Sequence, residues 1–387
     1  MQVQKLSNDV NAKELLKNLG VDGGGVSILA SKMQHHLIYI KDLAVGGANI
    51  LKQDALSIGA DLAVPKGTVI AKEPFVDCIL IASRQQLQTL SRKELAQPFG
   101  LKDLAARLGE IAKIKKPKKI DIMGVVNAND DSFFDGSRFK DLEAVKKIQK
   151  MIEEGADIID IGAVSSRPNA PIVSVKEELL RISPILEEIK KNKLYDRVRF
   201  SVDSHTPEVI SKALESGFSI VNDITGLEND EVCRLCAQYK ATAVIMHMQG
   251  TPQTMQNNPR YEDLISDVYT FLDTRIQKAE SFGLSDIIID LGIGFGKSLE
   301  DNLSLIQNLE HFLMLKKRIL VGASRKSMID KIYPSKVEER LAGTLAIHLE
   351  ALRNGASILR VHDVKEHLQA VKVFESLRHK QAFKLES

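Results

Sequence analysis

The chain has 387 residues, 44% apolar and 27% charged, and its 53 basic side chains nearly balance 51 acidic ones for a net charge of +2. That length supports a large core and exceeds the roughly 250 residues of one (β/α)8 barrel, while the even charge balance excludes bulk attraction to nucleic acid or to a membrane surface. No apolar stretch approaches the roughly 18 residues of a membrane span, the start MQVQKLSNDV has no hydrophobic signal region, and three cysteines fit a reducing compartment rather than a disulfide framework, so a cytoplasmic protein is expected.

In chain order, residues 1–115 predict a small α/β domain. NAKELLKNLG patterns as a helix, Gly23 to Gly25 as a glycine-rich turn, and HLIYIKDL, DLAVPKGTVI and VDCILIAS as strands. A helix near GGANILKQDALSIGA and two more between Ser83 and Ala112 complete it. His35 and His36 read as a strand start, and nothing here gathers acids, histidines or thiols into a constellation. The basic stretch Lys113 to Lys119, interrupted by Pro117, reads as a linker. A second domain is placed over 116–387.

From Ile120 onward, eight short apolar runs recur: IDIMGVVN, ADIIDIGA, RVRFSVD, SIVNDI, TAVIMHM, DIIIDLG, RILVGAS and SILRVHD. Roughly 15 to 35 residues, mostly helix-patterned, separate them, about one βα repeat each. The expected fold is an α/β (β/α)8 TIM barrel preceded by the small domain. Barrel chemistry lies at the C-terminal ends of the strands, which nominates Asn127, Asp160, Asp203, Asn222, Asp223, His247, Asp290, Ser324, Arg360, His362 and Asp363.

The turn NANDDSFFDGSRF after the first run carries Asn127 and Asp135 in an acid-rich setting that suits a hard cation such as Mg2+, although turns favour Asp and Asn for backbone reasons too. SSRPNAP stiffens Ser166 and Arg167 with Pro168 and Pro171, giving either an anion contact or a surface ion pair. Asp203, Asn222 and Asp290 end apolar strands, where isolated acids are costly unless paired or bound. Two carboxylates and an amide match the NH donors of a heterocycle such as a pterin or guanine.

Cys233 and Cys236 lie on one face of a helix-patterned segment and read as buried packing, since no second pair completes a metal site. GIGFGKS fails as a phosphate loop because Leu291 occupies the position of the first glycine, and as a dinucleotide fingerprint because the third glycine is missing. Its glycines are read as letting backbone approach a flat ligand, with Phe295 against it. GASRKSM places Lys326 and Ser327 beside Ser324, and Arg360 and His362 alternate onto one side of the last strand. With Asn127 and magnesium they predict a diphosphate site, since barrels commonly bind phosphate near the last two strands.

The ordered set NANDDSFFDG from Asn127, SVDSHTPEV, ND at Asn222, MHMQGTPQTMQ, DLGIGFGK, GASRKSM and RVHDV resembles the dihydropteroate synthases over about Ile120 to Phe374. The resemblance implies condensation of 6-hydroxymethyl-7,8-dihydropterin diphosphate with 4-aminobenzoate in folate biosynthesis, sensitivity to sulfonamides, and a homodimer. It further implies that Asp203, Asn222, Asp290 and Lys326 hold the pterin, with Met246, Gly322 and Phe295 shaping the slot. Asn127, Arg360 and His362 would hold diphosphate and magnesium. Asp135 and Arg167 would reach in from two loops, while Ser166, Pro168, Phe295, Lys326 and Ser327 frame the aminobenzoate.

Three departures from the family stand out. Asn129 and Asp130 replace Thr-Pro, Ala163 and Val164 replace Gly-Glu, and Leu291 replaces Pro. Two alternatives share the barrel and the pterin grip: a methyltransferase serving a corrinoid protein, and a non-catalytic pterin-binding barrel. The SRKS and RVHDV segments weigh against the first, because a methyl carrier has no diphosphate to bind.

Overall fold

The computed structural model describes residues 1, 3–7, 10–128, 138–164 and 173–379. Two compact units divide the chain, Met1–Lys115 with Phe374–Ser387, and Lys116–Val373. Among the described residues no helix is long and apolar enough to cross a membrane.

The first unit carries α1 (Ala12–Asn18), α2 (Gly23–Met33), β1 (His35–Ala44), α3 (Val45–Ser57), β2 (Asp61–Ala63), β3 (Phe75–Ser83), α4 (Arg84–Lys93) and α5 (Leu101–Ile111). Its antiparallel sheet runs β1-β3-β2. Alternation in β3 sends Val76, Cys78, Leu80 and Ala82 into a core shared with Leu51, Leu62, Leu87 and Leu108. A capping box between Ser83 and Gln86 then turns the chain into α4. Two expectations change here. Gly23 to Gly25 form the first turn of α2 rather than a loop, because the Asp22 carboxylate caps the Gly24 amide at 2.9 Å. The strand expected over DLAVPKGTVI stops at Ala63, just before Pro65, which has no amide to donate to a ladder.

The second unit is a closed eight-stranded parallel barrel. Its strands are β4 (Asp121–Asn127), β5 (Ile158–Gly162), β6 (Arg199–Asp203), β7 (Ile220–Asp223), β8 (Thr242–Met246), β9 (Ile287–Asp290), β10 (Arg318–Val321) and β11 (Ile358–Val361). They follow one another around the barrel in sequence order, with β11 paired to β4. The helices of this unit are α6 (Arg138–Glu153), α7 (Val175–Lys191), α8 (Pro207–Glu215), α9 (Asp230–Tyr239), α10 (Leu264–Ser281), α11 (Leu299–Gln307), α12 (Ser327–Ile332), α13 (Leu341–Arg353) and α14 (Val364–His379), the last ending beyond Val373. Cys233 and Cys236 are buried on α9, as packing.

Inside the barrel, Met123, Ile158, Ile220, Val244, Ile288, Leu320 and Ile358 form one apolar ring, every member at most 1% exposed. Side chains two apart on a strand share a face, so the next inward layer toward the C-terminal mouth is Val125, Asp160, Asn222, Met246, Asp290, Gly322 and Arg360. At the opposite end the fully buried Asp121 carboxylate meets Lys119 at 2.9 Å, Arg199 at 2.6 Å and Arg318 at 2.8 Å. Burial works against its charge, but those three cations hold the carboxyl below its usual range.

Candidate active site

Arg360 organises one side of the mouth. Its Nε donates to Asp160 Oδ2 at 2.7 Å and its Nη2 to Asp203 Oδ2 at 2.5 Å. Asn222 Nδ2 donates to the same Asp160 oxygen at 3.1 Å, which leaves Asp160 Oδ1 buried without a partner. Burial pushes the Asp203 carboxyl up to about 7 against the pull of Arg360, and nearby Asp160, Asp223 and Glu178 push the same way. The turn after Asp203 is fixed by the buried Glu178 of α7, which accepts from Ser204 Oγ at 2.6 Å and Thr206 Oγ1 at 2.7 Å.

Across the barrel, Asp290 Oδ1 accepts the Gly292 amide at 2.7 Å, and burial raises its carboxyl. The Lys326 ammonium donates to the Ile293 carbonyl and lies 4.3 Å from the centroid of the half-buried Phe295 ring. Desolvation lowers its pKa to about 8, with Asp290 opposing. Met246, 3% exposed, ends β8, and Gly322 follows β10 beside Arg360. Ser327 is exposed as the first residue of α12. The carboxyl groups of Asp160, Asp203 and Asp290 and the Asn222 amide, gathered about two cations, give the mouth acceptors suited to the NH donors of a heterocycle.

The rim beyond β10 and β11 is tied together. Exposed His362 has its Nδ1 2.9 Å from Ser324 Oγ, and its ring, desolvated on the protein side and near Arg360, is held down to about 4, hence neutral. Arg325, with φ of 56°, clasps Asp363 through two bonds of 3.0 and 2.6 Å. Asn127 is half-buried at the end of β4. Asp135, Ser166, Arg167 and Pro168 lie outside the described residues, as do the departures at Asn129 and Asp130.

Other nominated strand ends serve the fold. Asp223 accepts from Thr225 N and Oγ1, each at 2.7 Å, and from Leu227 N at 3.1 Å, so it caps its own turn. His247 is buried with Nδ1 2.9 Å from Lys297 Nζ and its ring edge-on to Phe271 at 4.9 Å. Lys297, which the sequence reading passed over, is 2% exposed and also donates to the carbonyls of Gly292 at 3.0 Å and Phe295 at 2.9 Å. Burial drives its pKa to about 7 and that of His247 to about 3. The glycine loop therefore wraps a buried lysine. Gly292 has φ of 68°, and a Cβ there would lie 1.8 Å from the His247 carbonyl oxygen. Close approach to the β8 turn, rather than to a flat ligand, is what that glycine permits.

A model of the pterin binding enzyme family matches residues 123–362. The chain is 44% identical over 377 residues to the bifunctional dihydropteroate synthase/dihydropteroate reductase of Helicobacter pylori, covering 97% of this chain and 99% of that protein. It is 42% identical over 258 residues to the dihydropteroate synthase of Haemophilus influenzae, covering 66% and 93%. Among solved structures, Xanthomonas albilineans dihydropteroate synthase with 4-aminobenzoic acid matches with a TM-score of 0.63 at 36% identity, covering 68% of this chain and 95% of that one.

Proposed function

Because the chain belongs to the pterin binding enzyme family and, through its likeness along almost its full length, to the dihydropteroate synthases, we propose that its barrel mouth is divided into a pterin pocket, a diphosphate rim and an aminobenzoate edge. The enzyme condenses 6-hydroxymethyl-7,8-dihydropterin diphosphate with 4-aminobenzoate, giving 7,8-dihydropteroate and diphosphate in folate biosynthesis. One observation carries the division: Asp203, Asn222 and Asp290, on β6, β7 and β9 at the mouth, gather around Arg360 and Lys326, while Ser324 and His362 lie together at its rim.

In this reading Asp203, Asn222 and Asp290 accept the NH donors of the pterin, Met246 and Gly322 bound the slot, and Lys326 with Phe295 closes one face. Arg360, held by Asp160 and Asp203, would together with the neutral His362 donate to diphosphate as negative charge builds on its bridging oxygen. The C–O bond to diphosphate breaks with its electron pair, the arylamine lone pair forms the new C–N bond, and the surplus proton leaves that nitrogen. No strong base is needed, because an arylamine is unprotonated at neutral pH. The protein's task is to place the nitrogen in line and exclude water.

Among the described residues no three His, Cys, Asp or Glu side chains form a metal cage. Magnesium takes few protein oxygens and keeps phosphate and water as ligands. Asn127 would offer one amide oxygen to it, and a bound ion would neutralise charge on the departing diphosphate. Asp135 and Arg167 are assigned to loops that close on the site, with Ser166, Pro168 and Ser327 at the aminobenzoate edge. Exposed Ile332, Tyr333 and Val337 support a homodimer, and three buried free thiols support a cytoplasmic home.

The test is diphosphate release by the purified chain from the pterin diphosphate with magnesium, with and without 4-aminobenzoate. Release coupled to dihydropteroate is the expected result; pterin binding without turnover would sink the reading. A second activity is proposed beside it. The full-length relative is named as a reductase too, and it matches 97% of this chain where the H. influenzae synthase covers 66%. The enzyme would then pass two electrons and two protons to its own product. Following tetrahydropteroate formation from dihydropteroate, with reduced nicotinamide and reduced flavin each supplied as donor, checks this; an active synthase giving none refutes it.

A further inference from the structure

Behind the rim lies a feature to which the reaction assigns no role. His348 on α13 is fully buried and His367 on α14 is 1% exposed. The Ala323 amide, in the turn after β10, lies 3.1 Å from His348 Nε2. His348 Nδ1 lies 2.9 Å from His367 Nε2, and His367 Nδ1 lies 2.6 Å from the carbonyl oxygen of Asp363, in the turn after β11.

Both ends of this chain fix its direction. A backbone amide only donates, so His348 Nε2 accepts and the proton of that ring sits on Nδ1. A backbone carbonyl only accepts, so His367 Nδ1 carries a proton and its Nε2 is free to accept. The two constraints agree on one arrangement, running from Ala323 through both imidazoles to Asp363. A proton added to either ring would set N–H against N–H, and burial keeps both pKa values below the usual histidine range.

The turn after β10 carries Ser324 and Lys326, and that after β11 follows Arg360 and contains His362. On the open side they are joined by the Ser324–His362 contact and the Arg325–Asp363 clasp. We propose that His348 and His367 are positioning residues, a buried imidazole strut that sets the spacing of these two turns and hence the grip on diphosphate. The proposal rests on the diphosphate rim assigned above. It asks nothing of either ring as acid, base or ligand, since neither is placed to touch substrate.

The test uses the full chain with inorganic diphosphate and phosphate-free 6-hydroxymethyl-7,8-dihydropterin as separate probes. His348→Ala is expected to weaken diphosphate inhibition about fivefold, the loss of one buried hydrogen-bond link, and to leave pterin affinity within about twofold. His348→Gln, whose amide can accept from Ala323 and donate to His367, should restore diphosphate binding. Equal weakening of both probes, or unchanged diphosphate inhibition in the alanine variant, overturns the strut. Failure of the unmodified chain to bind diphosphate would instead overturn the rim assignment itself. If the variants do not fold, nitrogen NMR of the unmodified chain decides: both rings should be neutral Nδ1–H tautomers, and an Nε2–H His348 or an imidazolium at neutral pH refutes the proposal.

Discussion

Asp203 accepts from Arg360 while facing the pocket, so replacing its charge with an amide removes a charge-assisted acceptor from the pterin. Asp203→Asn should cost about 2 kcal/mol of free-pterin affinity, a roughly thirtyfold rise in Kd by calorimetry, and an unchanged Kd would remove it from the pocket. His247 gives a pH prediction. Its folded pKa of about 3 lies below the ordinary 6.5, so the unfolded chain takes up a proton that the native state refuses. Its contribution is intact above about pH 6.5 and is lost as pH falls toward 3, at up to about 1.4 kcal/mol per unit. His247→Gln should therefore flatten the decline in thermal stability between pH 6.5 and 4; parallel profiles would refute it. The polar strand ends were legible in sequence because a carboxylate, amide or guanidinium at the close of an apolar run has few bland explanations. Lys297 and the bond to His247 were not, since a lysine after three glycines looks solvated until the β8 turn, some 50 residues away, is folded against it.

At the scale of elements, the loop after β9 depends on a conformation and a clearance that only glycine supplies. Gly292→Ala would combine a φ of 68° with a Cβ 1.8 Å from the His247 oxygen, and should cost about 3 kcal/mol of stability by denaturant unfolding. The Michaelis constant for aminobenzoate should rise as Phe295 shifts. An alanine variant of normal stability would mean that the β8 turn yields easily. The eight barrel strands were readable because each is a short apolar run closed by polar residues. Two elements of the first unit were misjudged for local reasons: three glycines outweighed the cap at Asp22, and β-rich composition outweighed Pro65. The purpose of the glycine loop was misread for a non-local reason, since its partner is the protein's own backbone.

For the molecule as a whole, stability and chemistry sit at opposite ends of one barrel. Asp121→Asn removes a buried charge held by three cations and should cost about 3 kcal/mol, with kcat/KM at 25 °C unchanged within about threefold. A matching loss of turnover in folded enzyme would show that the two ends are coupled. A chain starting at Lys116 should retain synthase activity, because every described site residue lies in the second unit, and an inactive but folded barrel would refute this. Residues 1–115 offered the sequence reading no reactive group, and so no purpose. The apolar ring carries a last consequence. Ring members Ile220, Val244 and Ile288 lie two residues before the pterin-facing Asn222, Met246 and Asp290 on the same strands, so a mutational library confined to the outer of the two layers would explore new heterocycles on a scaffold whose apolar interior is left untouched. Variants selected from it should trade one ligand for another without the loss of expression that accompanies repacking of a barrel interior.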